Sequence, residues 1–237
     1  MKISRNLALK AHFILDECIP PIIRDQKWFI WVSFKILFKR KAKFFFEFKD
    51  KAIHLSQEEF AAVYEETRSV HIERPTDLNE GCVKEIAASA LGEKVLDIGC
   101  GKGFLASVLS QRHRVMACDM IVSEKTRRDH PDVNFREENI QKLSFADNEF
   151  DTVISSHTLE HVQDAQTALE ELRRVAKYRL IVVLPKQRPY RYTFDLHLRF
   201  FPYSHTVLQY MRPTFRRVKY DLKEIEGDWY YQEDKIF

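Results

Sequence analysis

Three of the six glycines in this 237-residue chain fall between positions 99 and 103, in the run Val95-Leu96-Asp97-Ile98-Gly99-Cys100-Gly101-Lys102-Gly103. An apolar run that ends in Gly-x-Gly-x-Gly and opens into a helical pattern has few folding solutions. Residues 94–98 read as a short buried strand. Residues 103–111, with Phe104, Leu105, Val108 and Leu109 at helical spacing, read as the helix behind it. Glycines let the backbone turn sharply between the two and let a ligand approach the main chain without a Cβ in the way. The helix amino end adds N–H groups that have no intrahelical acceptor. In an open parallel sheet, ligands bind in the crevice at the carboxyl ends of the strands, where such a loop sits.

The pattern around this segment repeats the alternation. Val83, Ile86, Ala87 and Leu91 lie on one helical face, with Gly92 as a stop. Strands are expected over 114–118, ending at Asp119, over 133–136, over 151–155, and over 179–184, stopped by Pro185. An amphipathic helix over 165–177 carries Ala168, Leu169, Leu172, Val175 and Ala176, and two further strands are expected over 215–222 and 229–236. Strands separated by helices imply parallel pairing with right-handed crossovers. Residues 1–78 have a different texture, rich in aromatics and lysine and without β–α alternation. Pro20-Pro21 separates an early helix from one over 26–38. Ser56 and Glu59 form a capping box, with Leu55 and Phe60 as its staple, for a helix running to about Arg68. Two domains follow: a helical extension over 1–78 and a sheet domain over 79–237.

Composition narrows the function. The 38 basic and 35 acidic side chains leave a net charge of +3, too little to argue for nucleic acid. Cys18, Cys82, Cys100 and Cys118 form no Cys-x-x-Cys pair and no zinc-spaced cluster, so no metal site is expected and reduced thiols in a cytoplasmic protein are. The first residues lack the apolar core of a signal peptide. The longest apolar stretch, 28–38, is about half the ~20 residues of a membrane span and is interrupted by Lys35.

Nicotinamide enzymes use a similar loop, but with a third glycine where this chain has Phe104. Here Asp97 precedes the loop, which suits a cofactor with an ammonium group better than a pyrophosphate. Asp119 stands 20 residues after Gly99, at a strand tip where a carboxylate can accept both hydrogen bonds of a ribose diol. Asp119 as a plain helix cap is the competing reading.

Residues 95–103 resemble the first motif of the class I S-adenosylmethionine-dependent methyltransferases. Asp119 matches that family's ribose-binding acid. Leu143-Ser144-Phe145-Ala146-Asp147-Asn148-Glu149-Phe150-Asp151 and Ser155-Ser156-His157-Thr158-Leu159-Glu160-His161-Val162 resemble the family's approach to, and exit from, the fourth strand. The similarity covers roughly 79–185 and is strongest to the subgroup with the quinone-biosynthesis enzymes. It implies an α/β fold: a Rossmann-like, seven-stranded, mostly parallel sheet flanked by helices, here with a helical, aromatic-rich N-terminal extension. It implies S-adenosylmethionine as cofactor and S-adenosylhomocysteine as product. By position, Asp97, Gly99, Cys100, Gly101 and Gly103 would line the loop and the amino-acid moiety. Asp119 would hold the ribose, Met120 would pack on the adenine, and Asn139 with Ile140 would meet its edge, Asn139 standing where the family usually has Asp. His157 would sit near the methionine part, and Arg74 is a candidate for the cofactor carboxylate or else a surface arginine.

An oxygen acceptor usually needs a general base, and histidine has the right unperturbed pKa. His157 and His161, four apart and on one face of an expected helical turn, are candidates, as is His197 in the Arg- and Tyr-rich segment after the fifth strand. The expected reaction is methyl transfer to a small molecule, by O-methylation of a sugar, lipid-linked or natural-product intermediate. A nicotinamide-dependent oxidoreductase and a non-catalytic cofactor-binding partner are the alternatives. No Asn/Asp-Pro-Pro-aromatic motif of nucleic-acid amino-methylating enzymes follows the fourth strand. Residues 28–46 combine Trp28, Trp31, several phenylalanines and a basic cluster. They admit three readings: a peripheral contact with the inner membrane face, a lid or homodimer contact, and ordinary packing of the extension.

Overall fold

A computed structural model of the protein describes residues 13–38, 42–56, 58–60, 62–63, 75–192, 195–213 and 218–236. The chain divides into two compact units, residues 1–74 with 187–200, and residues 75–186 with 201–237. The boundary thus falls a few residues before the expected one, and the segment 187–200 belongs with the N-terminal helices instead of the sheet domain.

In the first unit a π-helical turn, Ile14–Cys18, precedes α1 (Pro21–Arg24), α2 (Lys27–Phe38) and α3 (Ala42–Ala52). Pro21 opens α1, where a missing N–H leaves no intrahelical bond unmade. Ile30, Phe45, Phe46, Phe48, Ala52, Phe60 and Leu196 form the core of this unit. The capping box is present: Ser56 N–H donates to Glu59 Oε2 (2.8 Å), and Glu59 N–H to Ser56 Oγ (3.2 Å). The expected run of that helix to Arg68 lies outside the described residues. Arg24, 3% exposed, anchors the 187–200 segment by donating to the Pro189 carbonyl (2.9 Å) and stacking 4.6 Å over the Tyr190 ring.

The second unit holds α4 (Glu80–Ser89), β1 (Lys94–Ile98), α5 (Phe104–Leu109), β2 (Arg114–Asp119), α6 (Glu124–Asp129), β3 (Asn134–Glu137), β4 (Phe150–Ser156), α7 (Ala165–Val175), β5 (Ala176–Pro185), α8 (Ser204–Met211), β6 (Val218–Ile225) and β7 (Asp228–Lys235). Its seven-stranded sheet runs β3-β2-β1-β4-β5-β7-β6. All pairs through β5 are parallel, and β7 is antiparallel to both β5 and β6. A two-residue turn, Glu226 and Gly227 at φ 48° and 87°, joins β6 to β7 with the paired left-handed residues that match strand twist. Residues alternate between the two faces of the sheet. Leu96, Ile98, Val153 and Val182 pack on one side with Leu169 and Leu172 of α7. Val95, Ile154, Ile181 and Val183 pack on the other with Ile86 of α4 and Leu105 of α5. Element ends differ from expectation by up to about three residues, the expected start of β6 at 215–217 lies outside the described residues, and two helix ends differ in kind. Leu91 lies past the end of α4 and is 41% exposed, and α7 stops at Val175 because Ala176 and Lys177 already belong to β5. The strand order reverses between β1 and β4, which opens the crevice of an α/β sheet at their carboxyl ends.

The hairpin edge is clamped to α7 by an ion pair. Arg173 donates from Nε and Nη2 to the two carboxylate oxygens of Glu233 at 2.7 Å each, and from Nη2 to the Met211 carbonyl at 2.6 Å. The Glu233 side chain is 4% exposed. Arg173→Ala leaves that carboxylate buried without its cation and is expected to cost roughly 3–5 kcal/mol in urea unfolding. Arg114→Ala, which removes an exposed pair with Glu93, is the control and should leave the midpoint unchanged.

Candidate active site

The end of β1 is turned by its glycines. The N–H groups of Gly99 and Cys100 both donate to the Cys118 carbonyl of β2, at 2.7 and 3.0 Å. Gly99 has φ 80°, and a Cβ there would lie 2.0 Å from Thr158 Oγ1. Gly101 has φ 54°, and a Cβ there would meet nothing within 4 Å. The first glycine is therefore required by close packing, and the second by a left-handed backbone that faces open space. Gly101 N–H donates to Asp119 Oδ2 and Met120 N–H to Asp119 Oδ1, each at 2.8 Å. Asp119 is thus no helix cap: Ser123 caps α6 by accepting from Thr126 N–H. A carboxylate oxygen can accept more than one hydrogen bond, so these two do not exclude a ribose diol as a donor.

Asp97, at the end of β1, is fully buried, and neither carboxylate oxygen completes a hydrogen bond. Burial pushes it up to about 7, the Asp119 carboxylate adds to the push, and the Ala106 backbone N–H offsets part of it. Ser155 Oγ, in register with Ile98 on the neighbouring β4, is likewise buried without a hydrogen bond. Orphaned buried polar atoms beside a glycine loop fit the ammonium and polar amino-acid end of S-adenosylmethionine. Cys100 lies just under the surface, and burial holds its thiol far above the usual range, so it contributes as an apolar side chain. Gly103 caps α5 at φ 77°.

Met120 is half-buried next to Asp119, and Ile140 packs against the core. Asn139 accepts from Gln141 N–H at 2.9 Å through Oδ1, so the carbonyl expected to read adenine also closes a local turn. Arg74 lies outside the described residues.

The histidines differ from expectation. Residues 157–161 form a turn, not a helix, so His157 and His161 do not share a helical face. They meet instead at one carboxylate. Glu160 is fully buried, with Oε1 3.6 Å from His157 Nδ1 and 3.9 Å from His161 Nε2. His157 Nε2 lies 3.3 Å from Asp228 Oδ2 at the start of β7. That Asp228 oxygen also accepts from Asn79 Nδ2 at 2.8 Å, while Asn79 caps α4 by accepting from Cys82 N–H at 2.6 Å. Burial by itself would lower the His157 pKa, but Asp228 and Glu160 outweigh it and raise it to about 10. The two carboxylates thus favour the protonated form of His157, which suits a structural ion pair better than the general base expected. It sits at φ 49°, a strained conformation for a side chain with a Cβ, held by its N–H to the Val183 carbonyl at 2.9 Å. Asn79 and Asp228 were not singled out in the sequence. Asn79 before a helical run carries a capping signal, but its pairing with Asp228, 149 residues away, has none.

His197 belongs to the other unit. It is 8% exposed there, with Nδ1 2.6 Å from Gln187 Oε1 and 3.3 Å from Asp195 Oδ2. Gln187 also donates to Asp195 Oδ2 at 3.2 Å, so His197 is seated in a local polar cluster.

The His157 pairing has a signed pH dependence. Its pKa rises from 6.5 unfolded to about 10 folded. Its contribution is fully present below about 6.5 and is lost as pH rises through about 10. The stability advantage of the protein over His157→Gln is expected to shrink across that window in urea titrations. The His157 ring resonance should show no titration step between about pH 6 and 8. A step near 6.5 would mean a neutral imidazole.

Residues 96–183 match the family described as "Methyltransferase domain". The O-methyltransferase resE of Aspergillus sclerotiorum is 30% identical over 126 residues, 48% of this chain and 45% of the relative. The demethylmenaquinone methyltransferase of Paenarthrobacter aurescens is 38% identical over 92 residues, 37% of this chain and 36% of the relative. The chain spans less than half the length of either. Among solved structures, the 1,6-didemethyltoxoflavin-N1-methyltransferase of Burkholderia thailandensis, with 1,6-didemethyltoxoflavin and S-adenosylhomocysteine bound, shares the fold at TM-score 0.57 and 18% identity, over 78% of this chain and 88% of that one. Residues 96–183 thus match a methyltransferase domain, and the sheet unit has the fold of S-adenosylmethionine-dependent methyltransferases.

Proposed function

We propose that this protein transfers a methyl group from S-adenosylmethionine to an oxygen of a hydroxylated small molecule, with His161 taking the hydroxyl proton. The observation that carries the first part is Asp119, whose two oxygens are aimed by the Gly101 and Met120 N–H groups at the mouth of the glycine loop. The methyltransferase-domain match over 96–183 and the quinone-methylating relative support methyl transfer to a small molecule, and the O-methyltransferase relative supports oxygen.

When bound, the cofactor supplies an electrophilic methyl on a sulfonium; the sulfur–methyl bond breaks as the oxygen–methyl bond forms. Asp119 would hold the ribose, and Asp97 the ammonium end. Gly101, with no Cβ, leaves room for close approach. His157, its protonated form favoured by Asp228 and Glu160, would hold the β4 tip in place. His161 is half-exposed, and the Glu160 carboxylate 3.9 Å from its Nε2 would steady the imidazolium formed when the acceptor proton arrives. The O-methyltransferase relative supports oxygen as the receiving atom.

Calorimetry with S-adenosylhomocysteine and with NADH tests the cofactor. Binding of the first and not the second is expected, with affinity falling at least about tenfold in Asp119→Ala, because a charge-assisted hydrogen bond is worth about 1.5–3 kcal/mol. Absence of S-adenosylhomocysteine binding would overturn the reading. For the base, transfer of labelled methyl to a panel of phenols and sugar alcohols should fall by about 10²–10⁴ in kcat in His161→Ala, with S-adenosylhomocysteine affinity kept. An unchanged kcat removes His161 from that role.

A further inference from the structure

The N-terminal unit displays large apolar side chains that its own core does not use. Between residues 13 and 31, Phe13, Ile14, Ile22, Ile23, Trp28 and Trp31 are 61%, 51%, 77%, 41%, 68% and 38% exposed. They come from three consecutive elements: the π-helical turn, α1 and α2. In α2 the division is internal. Ile30 is 3% exposed in the core with Phe45, Phe46 and Phe48, while Trp28 and Trp31, one turn apart, face outward. Such a concentration of exposed apolar surface marks a contact site.

The charges around the tryptophans are mostly basic. Lys27, Trp28, Trp31, Lys43, Phe46 and Glu47 line a groove of about 470 Å³ between α2 and α3. Lys35 places its ammonium 4.9 Å over the Trp31 ring, and Lys27 lies 5.7 Å over the Phe46 ring. Glu47, the acid of the groove, is already paired with Lys51 at 2.7 Å and with Lys43 at 3.9 Å. In sequence, residues 35–43 add Lys39, Arg40 and Lys41 to Lys35 and Lys43, with no acid among them.

We propose that this face of the N-terminal unit docks on an anionic lipid bilayer surface. Trp28 and Trp31 would enter the headgroup region with the neighbouring isoleucines, and Lys27, Lys35 and Lys43 would meet lipid phosphates. Tryptophan beside lysine is the composition that interfacial segments use, because the indole is apolar with one polar edge and the lysine stem can lie along apolar surface while its ammonium stays wet. A second copy of this chain is a poorer occupant. A two-fold contact sets the same patch against itself, and here that would bring lysines against lysines. Among the described residues no helix is long and apolar enough to cross a membrane, so the contact is peripheral.

Vesicle flotation of the full chain tests this. Binding is expected to phosphatidylcholine vesicles with about a quarter phosphatidylglycerol, weakened at high salt, and not to phosphatidylcholine alone. Trp28→Ala with Trp31→Ala should lower the bound fraction at least about tenfold, and Lys27→Gln with Lys43→Gln should weaken binding about 30-fold. The helical circular dichroism and the urea midpoint should be unchanged in both variants, which separates lost docking from lost folding of the N-terminal unit. Three results would overturn the proposal: no flotation with anionic vesicles, equal binding by the tryptophan variant, or a wild-type dimer in sedimentation that the tryptophan variant abolishes.

Discussion

The rest of the sheet unit depends on how the backbone leaves β1. Gly99 and Cys100 both give their N–H groups to one carbonyl, that of Cys118, which ties the turn to β2. Gly101 then gives its N–H to Asp119, the last residue of β2. A single hydrogen-bonded loop thus fixes where α5 begins and where the Asp119 carboxylate stands. Thr158, from the exit of β4, fills the space that a side chain at position 99 would take. Three separate stretches of chain therefore converge on one turn, and its glycines are needed for reasons of space as much as of dihedral angle.

A second set of interactions holds the same end of the sheet. Asn79 caps α4 and reaches Asp228 of β7; Asp228 faces His157 after β4; His157 faces Glu160. This series of alternating donors and carboxylates spans β5 and places carboxylates on both sides of a histidine held out of bulk water. In a low-dielectric interior each member is costly alone and favourable when paired. Asp97 is the counter-example in the same region. It is buried with no hydrogen bond, and this raises its pKa. His157 has a carboxylate facing each ring nitrogen, whereas both Asp97 oxygens under the glycine loop are buried without a hydrogen bond.

The N-terminal unit follows different rules. Its core is mostly aromatic, drawn from α2 and α3, with Leu196 from a segment far along the chain. The capping box at Ser56 and Glu59 was legible because both partners lie within one turn. The membership of 187–200 was not, since nothing local in an Arg- and Tyr-rich stretch tells which core its few apolar residues will join. The exposed tryptophans of α2 illustrate the same limit. Their presence is plain in the chain, but which of them turn inward or outward depends on what packs against α2.

The sequence by itself determined the α/β alternation, all seven strands to within a few residues, the glycine loop and the acid at position 119. Each of these is encoded within a few residues by spacing, by the absence of a Cβ or by a strand-end position. Tertiary structure alone decided the state of the histidines. His157 and His161 looked equivalent as bases in sequence, four residues apart. Folding placed His157 between two carboxylates, one of them contributed by β7 and held by Asn79, and left His161 partly exposed beside Glu160. Charge and burial at a site are sums over neighbours from distant parts of the chain, and no local pattern contains that sum.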